Sequence, residues 1–465
     1  MGCQSLVLSD TVPLISNRVL FSLMFTEKRW HLLTRRSKVS VIGLWHLGCV
    51  YAACLSKLGY KVTGVDEDAM VIRNLRKGRA PLFEPGLDGL ISRNIAEGNL
   101  KFESEIEAGV RGADFVVIAF DTPVDEDDNV DLSVILRTAK RLKNVAPKST
   151  VIVSSQVPVG TCEEIEKMIW ENSSMRSLAY VPENLRLGQA IDRFMNPDMI
   201  VIGANDHASL AKVREFFSPI QTKIIEMNLR SAEMTKHAIN CFLATSISYA
   251  NEIGNICDLV GADGLKVAEA LRADSRIGSK ALVRPGLGFA GGTLARDLRA
   301  LQSVGKAHHH ETTLIDGVLR VNERQNASVV EKLEKILGSL GGKHVCVFGL
   351  TYKAGTSTLR RSAALEIIGR LRSKEADVHA YDPRVQESEL GVPHLLLYDD
   401  PYLACKNADV ILILNDLPDF AKLNFRKIRS AMKSPVIFDT QNLLDPTTMA
   451  DMGIRYLGLG RGTRI

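Results

Sequence analysis

The chain has 465 residues, of which 45% are hydrophobic and 24% charged, as is ordinary for globular proteins. This composition excludes a wholly disordered chain and a disulfide-stapled miniprotein. The 58 basic and 54 acidic residues give a net charge of +4, and the excess lies in residues 1–38. The remaining chain is neutral, which argues against nucleic acid as a partner. At roughly 150 residues per domain, the length favours about three domains.

Residues 1–37 precede the first predicted strand and favour a tail that is disordered or reflects a misplaced start. An organelle transit segment is the less favoured alternative. No stretch approaches the roughly 20 apolar residues that span a bilayer, so we expect no membrane partner. The eight cysteines form no CxxC pair, which favours a reducing, cytoplasmic compartment.

A strand, a glycine turn, a helix and a second strand are predicted over residues 39–66. Apolar β-branched runs ahead of glycine turns are typical of buried parallel strands. The same order recurs over residues 344–382, and further apolar strands follow in both halves. This alternation of strands and helices predicts an α/β protein with two doubly wound, Rossmann-like parallel sheets.

Between the sheets, one proline-free helix is predicted from Ala232 to Val260. At ~1.5 Å per residue it would be about 43 Å long, and a helix of that length usually connects domains or forms an oligomer seam. The predicted domains are therefore 38–207, 208–338 and 339–465, of which the middle one is helical. A homodimer or higher homo-oligomer is expected from the long helix.

The first glycine turn, Gly43-Leu-Trp-His-Leu-Gly48, is similar to the G-x-G-x-x-G turn that binds dinucleotides. Gly43 permits the tight turn and Gly48 permits close helix packing, but Trp45 replaces the glycine that lets the pyrophosphate approach. Asp66 ends the second strand, where a carboxylate can accept hydrogen bonds from ribose hydroxyls and would repel the extra phosphate of NADP. The turn therefore predicts NAD, and a turn that binds nothing is the alternative.

Two other groups of residues can carry chemistry. Four glycines lie within residues 286–292, ahead of Asp297, so the backbone there can approach a ligand closely. Lys236 and Asn240 are four residues apart on the long predicted helix and can donate hydrogen bonds to an oxyanion, unless they form a solvated face. The adjacent histidines at 308–310 point in three directions, so no metal site is predicted.

Many motifs in the same order resemble the UDP-glucose/GDP-mannose dehydrogenase family over residues 39 to about 445. The matching stretches are Glu84-Pro-Gly-Leu87, Asp121-Thr-Pro123, Val157-Pro-Val-Gly-Thr161, Pro182-Glu183, Asn196-Pro-Asp198, Glu233 to Asn240, Gly288-Phe-Ala-Gly291, Arg296-Asp297, and Tyr352-Lys353 with Thr356 and Arg360. Members of this family oxidise the C6 alcohol of a nucleotide sugar to a carboxylate with two NAD. The resemblance implies this activity, with NAD as cofactor and a nucleotide sugar, UDP preferred, as substrate.

The resemblance also implies roles for single residues. Lys236 and Asn240 would steady an alkoxide or oxyanion, Asp297 would help take the alcohol proton through water, and Glu183 would assist water attack. The cofactor would be held by Gly43, Gly48 and Asp66 around Trp45, with contacts from Thr122, Ser155 and Arg360. The substrate would be bound by Phe289, Gly291, Lys353 and Arg276, the last acting in its own or a partner subunit.

The match breaks at the family's nucleophile, a cysteine in the motif G-F-G-G-S-C-F-x-K-D. Residues 288–297 place Thr293 at that position. A thiolate captures the aldehyde before the second hydride leaves, whereas a threonine hydroxyl needs an adjacent base. We therefore expect an NAD-dependent oxidoreductase whose second step is slow, proceeds through the aldehyde hydrate, or is absent. Two alternatives stay open, a catalytically silent nucleotide-sugar-binding paralogue and a single oxidation to an aldehyde or keto-sugar.

Overall fold

The computed structural model describes residues 37–122, 130–146, 148–171, 176–183, 185–353, 358–393 and 395–462. Apart from Ser37, the predicted tail lies outside these residues. The chain divides into two compact units, the first formed by residues up to 122 with 132–233, and the second by 123–131 with 234–465.

The described part of the first unit forms one sheet with helices on both faces. Its strands are β1 (Lys38–Ile42), β2 (Lys61–Val65), β3 (Leu100–Glu103), β4 (Phe115–Ile118), β5 (Thr150–Val153), β6 (Leu178–Tyr180), β7 (Met199–Gly203) and β8 (Lys223–Met227). Its helices are α1 (His46–Lys57), α2 (Ala69–Leu75), α3 (Leu87–Ala96), α4 (Ile106–Val110), α5 (Ser133–Val145), α6 (Thr161–Trp170), α7 (Ala190–Met195) and α8 (His207–Phe217).

The strand order of the first sheet is β3-β2-β1-β4-β5-β6-β7-β8, which confirms the predicted doubly wound sheet. Strands β1 to β6 run parallel, and β7 joins β6 in antiparallel fashion through Tyr180 and Gly203. The chain reverses its direction of winding between β1 and β4. In open α/β sheets such a reversal leaves a crevice at the carboxyl ends of the strands.

The helical prediction for residues 208–338 is wrong at its start. Strand β8 pairs in parallel with β7, and the first unit extends to Glu233 rather than ending at 207. No glycine turn precedes β8, and its side chains are exposed or half-buried, as at a sheet edge. It therefore lacks the continuous buried run that marks the inner strands.

The long helix predicted from Ala232 to Val260 is confirmed as α9 (Leu229–Val260), with 32 residues. Its buried Glu233 carboxylate accepts hydrogen bonds from the Gly160 and Cys162 N–H groups at 2.6 and 2.7 Å. Burial raises the pKa of this carboxyl group. Glu233 thus holds the first turn of α6, whose positive end favours an acidic partner.

The second unit continues with α10 (Gly264–Ala273), α11 (Thr293–Ala307) and α12 (Thr313–Leu337) and then forms a second sheet. The strands of that sheet are β9 (His344–Phe348), β10 (Asp377–Tyr381), β11 (Leu396–Tyr398), β12 (Val410–Ile413), β13 (Val436–Asp439) and β14 (Arg455–Gly458). Its helices are α13 (Ala363–Ser373), α14 (Pro401–Ala404), α15 (Phe425–Ala431) and α16 (Pro446–Asp451). The order is β11-β10-β9-β12-β13-β14, and the described pairings are parallel.

Both sheets build their first turn in the same way. Gly43 and Gly349 follow the first strand of each sheet with φ of 91° and 92°, a conformation that glycine adopts without strain. The N–H after each glycine donates to a carboxylate at the end of the neighbouring strand, at 2.7 Å to Asp66 and 2.8 Å to Asp382. Asp66 is half-buried, whereas Asp382 is buried. The carboxylate of the first sheet is therefore the more accessible of the two to a ligand.

The contact between α1 and its turn gives a stability test. A Cβ on Gly48 would lie 1.8 Å from the Gly43 carbonyl oxygen, so the backbone would have to shift. We expect Gly48→Ala to lower the free energy of unfolding by about 2 kcal/mol or more, measured by urea denaturation with tryptophan fluorescence.

Gly89→Ala in α3 is the matched control, because a Cβ there meets no described atom within 4 Å. In a helix this change should stabilise the protein by roughly 0.5–1 kcal/mol. Similar stabilities for the two variants would contradict the packing of α1 on its turn.

Candidate active site

Four of the predicted cofactor residues end neighbouring strands of the first sheet. Gly43 follows β1, Asp66 follows β2, Thr122 lies beyond β4, and Ser155 lies beyond β5. All four thus border the edge where the strand order reverses, which is where α/β sheets bind ligands. Their common location is observed, and their contacts with a cofactor stay a prediction.

Hydrogen bonds hold this edge in place. The Asp66 carboxylate accepts from the N–H groups of Leu44 at 2.7 Å and Asp68 at 2.9 Å. Each of its oxygens keeps a second lone pair, which a ribose hydroxyl could use. The Thr122 hydroxyl donates to the Gln156 carbonyl at 3.0 Å. Ser155 is fully buried beneath this edge, so its side chain offers no surface to a ligand in this structure.

Trp45 lies at the residue before α1, where dinucleotide turns carry their second glycine. Its side chain is 49% exposed, so the indole extends outward instead of joining the core. A pyrophosphate would approach the first N–H groups of α1, and a side chain at this position narrows that approach. The turn therefore fits NAD at Gly43, Gly48 and Asp66, with Trp45 as an obstruction.

Glu183 lies in the first unit, three residues beyond β6. It is half-buried, and its carboxylate accepts a hydrogen bond from the Leu185 N–H at 2.7 Å. The structure therefore holds this acid in a defined orientation. Its role in water attack stays a prediction.

A buried carboxylate of the first unit links two segments of the candidate site. Glu84 accepts hydrogen bonds from the Gly188 and Ala190 N–H groups at 2.8 and 2.9 Å. The same carboxylate lies 2.9 Å from Nε2 of His46, in the first turn of α1. Glu84 thus ties the segment after Glu183 to the cofactor turn.

The second unit gathers polar side chains around the Asp297 carboxylate. Asp297 is fully buried on α11, and Nδ2 of Asn240 on α9 donates to its Oδ2. Nδ1 of His237 lies 2.7 Å from Oδ1 of Asp297. Lys236 is also buried on α9, four residues before Asn240 and on the same face. The structure therefore brings three of the predicted catalytic residues into one unit, two of them in direct contact.

His237 is the residue of this cluster that sequence reasoning missed. It is 3% exposed and lies three residues before Asn240, so both reach the same carboxylate. The three-residue spacing from Asn240 is the sequence signal that could have identified His237, although a single histidine on a helix indicates no role by itself. Together His237 and Asn240 occupy both oxygens of Asp297 and so restrict its rotation.

The glycine loop, residues 285–292, is held by side-chain amides. The Phe289 N–H donates to Oδ1 of Asn322 at 2.6 Å, and Nδ2 of Asn322 donates to the Phe289 carbonyl at 3.1 Å. Gly291, at φ 79°, donates to the Arg361 carbonyl at 3.1 Å. A cavity of about 320 Å³ borders Phe289 and Gly291. Two predicted substrate residues therefore line one cavity of the second unit.

Thr293 is the first residue of α11, one helical turn before Asp297, and it is exposed. The preceding Gly292 has no side chain with which to cap the first amide groups of the helix. An open helix N-terminus favours negative charge and lowers the pKa of a thiol placed there. A hydroxyl at the same place is too weak an acid to ionise, so the helix terminus does not activate it as it would a cysteine.

The described cysteines offer no substitute nucleophile. Burial raises the pKa of Cys54 to about 12 and of Cys405 to about 11. Cys241, which is half-buried next to Asn240 in sequence, also has its pKa raised, chiefly by burial. The seven described cysteines are all free. None of these thiols is thus prone to form a thiolate near neutral pH.

The remaining predicted binding residues are exposed and lie in the second unit. Lys353 follows β9, and Arg360 precedes α13. The Arg276 guanidinium pairs with the Asp274 carboxylate at 2.6 Å, and this pairing raises the pKa of Arg276. A substrate phosphate would have to compete with Asp274 for this side chain.

The fold and the two clusters define the class of the protein, an NAD-dependent dehydrogenase. Models of the UDP-glucose/GDP-mannose dehydrogenase family match in three parts, the NAD binding domain over residues 37–221, the central domain over 230–324 and the UDP binding domain over 346–446.

Individual relatives agree with the family models. UDP-glucose 6-dehydrogenase TuaD of Bacillus subtilis (strain 168) is 37% identical over 430 residues, or 91% of this chain and 93% of that protein. UDP-glucose 6-dehydrogenase of Rhizobium meliloti (strain 1021) is 34% identical, over 91% of this chain and 99% of its own. A solved UDP-glucose dehydrogenase from Pyrobaculum islandicum superposes with a TM-score of 0.83 at 31% identity, covering 92% of this chain and 98% of its own.

The chain therefore belongs to the UDP-glucose/GDP-mannose dehydrogenase family, which confirms the resemblance inferred from its motifs. Its cofactor is NAD, as the glycine turn and Asp66 predict. Within the described residues, no helix has both the length and the apolar character required to cross a membrane.

Trp45 provides a test of the cofactor turn. Removing its side chain should open the approach to the α1 amides, so we expect Trp45→Gly to tighten NAD binding by about tenfold or more. Isothermal titration with NAD measures the change. Trp45→Phe keeps a bulky side chain and should bind NAD within a factor of about three of the original chain. Weaker binding by Trp45→Gly would instead mean that the indole contacts the cofactor.

Proposed function

We propose that this chain oxidises the C6 alcohol of a UDP-sugar with NAD and that the sugar is glucose. The relatives described as UDP-glucose 6-dehydrogenases support the substrate, and the match to the UDP binding domain supports the nucleotide. The observation that carries the chemistry is the buried Asp297, held by Asn240 and His237 in the unit that also contains Lys236.

Oxidation of an alcohol removes a proton from its oxygen and a hydride from its carbon, and NAD held at Gly43, Gly48 and Asp66 would supply the hydride acceptor. The proton passes through a water molecule to the Asp297 carboxylate. An amide nitrogen carries two hydrogens, so Asn240 can donate one to Asp297 and the other to the alkoxide. The Lys236 ammonium group adds positive charge where the oxyanion develops. These side chains suffice for the first oxidation.

The second oxidation requires the aldehyde to become a tetrahedral species that can release another hydride. A cysteine at position 293 would form that species covalently, but Thr293 lacks a thiol. We propose that water adds instead, with Glu183 assisting, so that the second step is slower than the first. The same proposal assigns the cofactor to the first sheet and the UDP-sugar to the domain predicted over 339–465.

The stoichiometry of NADH formation tests this proposal. Limiting UDP-glucose with excess NAD should yield about one NADH per sugar rapidly, followed by a slow phase, because the first oxidation needs no thiol. Thr293→Cys should convert the slow phase to a fast second NADH and an acid product, since the α11 terminus lowers the pKa of a thiol. Absorbance of NADH and mass spectrometry of the product measure both phases.

Thr293→Ser is the matched control, because it retains a hydroxyl and should leave the slow phase unchanged. Two rapid NADH per sugar in the original chain would contradict the role given to position 293. No NADH with UDP-glucose, N-acetylhexosamine or GDP-sugar panels, despite bound UDP-sugar, would overturn the oxidoreductase proposal in favour of a binding protein. A keto-sugar product would place the oxidation at a ring carbon.

We further propose that α9 pairs with α9 of a second copy to form a homodimer. Phe242, Tyr249 and Ile256 are 71%, 48% and 49% exposed and lie seven residues apart. Seven residues make about two helical turns, so these side chains form one apolar stripe. A seven-residue apolar repeat is the pattern by which one helix packs against a like helix, and twofold symmetry presents the stripe on both copies.

Two substitutions that introduce negative charge into the apolar stripe test the proposed dimer. We expect Phe242→Glu combined with Tyr249→Glu to give a monomer of about half the mass, because buried unpaired carboxylates oppose association. Size-exclusion chromatography with light scattering measures the mass. Phe83→Glu is the control, since Phe83 is 83% exposed in the first unit, and it should leave the dimer intact. An unchanged mass for the double variant would contradict the proposed interface.

The proposed compartment is the cytoplasm. The described cysteines are all free, and this supports the proposal because the reducing conditions of the cytoplasm keep thiols from forming disulfides.

A further inference from the structure

Two histidines and an aspartate meet at the second sheet, apart from the residues discussed above. His344 begins β9, while Asp377 begins β10 and His379 lies two residues further along it. One potential ligand atom from each residue lies within 4.8 Å of the others. The imidazole rings of the two histidines are 3.9 Å apart between centroids.

The register of the parallel strands explains why these side chains meet. His344 lies opposite Asp377 in the pairing of β9 with β10, so both point to the same face of the sheet. His379 shares that face because alternate residues of a strand point to the same side. The cluster is therefore a fixed property of the β9–β10 pair and does not depend on a loop.

Each ring in this cluster keeps one buried nitrogen without a hydrogen-bond partner among the described residues, Nε2 of His344 and Nδ1 of His379. Buried polar atoms are rarely left without a partner, because each such atom has lost its hydrogen bonds to water without replacement. The other nitrogen of His379 lies 3.5 Å from Oδ2 of Asp377. Two ligands bound to one tetrahedral ion at ~2.0 Å are roughly 3.3 Å apart, so Nε2 of His379 and Oδ2 of Asp377 have the spacing of two ligands of one ion. The open ligand atom on His344 is Nε2, whereas Nδ1 of His379 would not be a ligand.

We propose that His344, Asp377 and His379 bind one divalent metal ion of the zinc type. Imidazole nitrogen with one carboxylate oxygen is a donor set that zinc and the neighbouring transition metals prefer over magnesium or calcium. Three protein ligands leave a position for water. Among the described residues Nε2 of His344 has no hydrogen-bond partner, so this nitrogen is open to a metal ion.

The position of the site indicates what the ion would do. His344 and Asp377 begin their strands and His379 is the middle residue of β10, so the cluster lies away from the carboxyl edge where α/β sheets bind substrates. The ion would therefore join β9 to β10 and stabilise the second sheet without taking part in the oxidation.

Zinc titration of the full chain tests the proposal without NAD or sugar, so its outcome is separate from that of the proposed function. Chain freed of metal with EDTA should bind one zinc ion tightly in isothermal titration and melt at a higher temperature with zinc. His344→Gln and His379→Gln should each weaken this binding by about 100-fold or more and abolish the rise in melting temperature.

Two further variants keep the test decisive. Replacing His308, His309 and His310 together by alanine removes a rival group of imidazoles and should leave the tight site intact. Asp377→Asn changes an exposed side chain, so it should fold normally while weakening zinc binding by about tenfold or more. The proposal is overturned if the variants at 344, 377 and 379 bind zinc like the original chain, or if the triple alanine variant loses the tight site.

Discussion

The architecture depends on a carboxylate that fastens a glycine turn to the end of the next strand. In the first sheet, Asp66 accepts from the N–H after Gly43, and Asp382 makes the same bond to the turn after Gly349. In the first sheet this bond lies two residues before α1, so it holds the N-terminus of that helix at the carboxyl edge. The two copies differ in accessibility, because Asp66 is half-buried and Asp382 is buried. The same arrangement thus leaves a carboxylate accessible in the first sheet and encloses it in the second.

Much of this fold could be predicted from sequence because its inner strands are continuous apolar runs that end at glycine turns. The strands at 39–42 and 344–348 follow that pattern, and the strands at 61–65 and 377–381 each follow a predicted helix and end at an aspartate. Strand β8 could not be predicted in this way, since it lies at an edge, carries exposed side chains and follows no glycine turn. Its pairing with β7 is decided by tertiary contacts, which a local pattern does not contain.

The residues of the candidate site also differ in whether a local sequence pattern predicts them. Lys236 and Asn240 could be predicted as a pair because helical spacing places them on one face. The bonds of Asp297 to Asn240 and His237 join residues about 60 positions apart, and no local pattern indicates them. The side-chain amide of Asn322 on α12, which holds the glycine loop, was equally hidden. The contact between His344 and His379 was also hidden from sequence reasoning, because it follows from the register of β9 and β10.

The chemistry of the thiols has a consequence for the durability of the protein. Enzymes that act through an exposed thiolate are inactivated by peroxide and alkylating agents, because the reactive form of the sulfur is the one that such agents attack. Here Thr293 stands at the exposed helix terminus, and burial raises the pKa of the described thiols, including Cys54, Cys241 and Cys405. A cell under oxidative stress would keep this protein in its working form while thiolate-dependent enzymes lost activity.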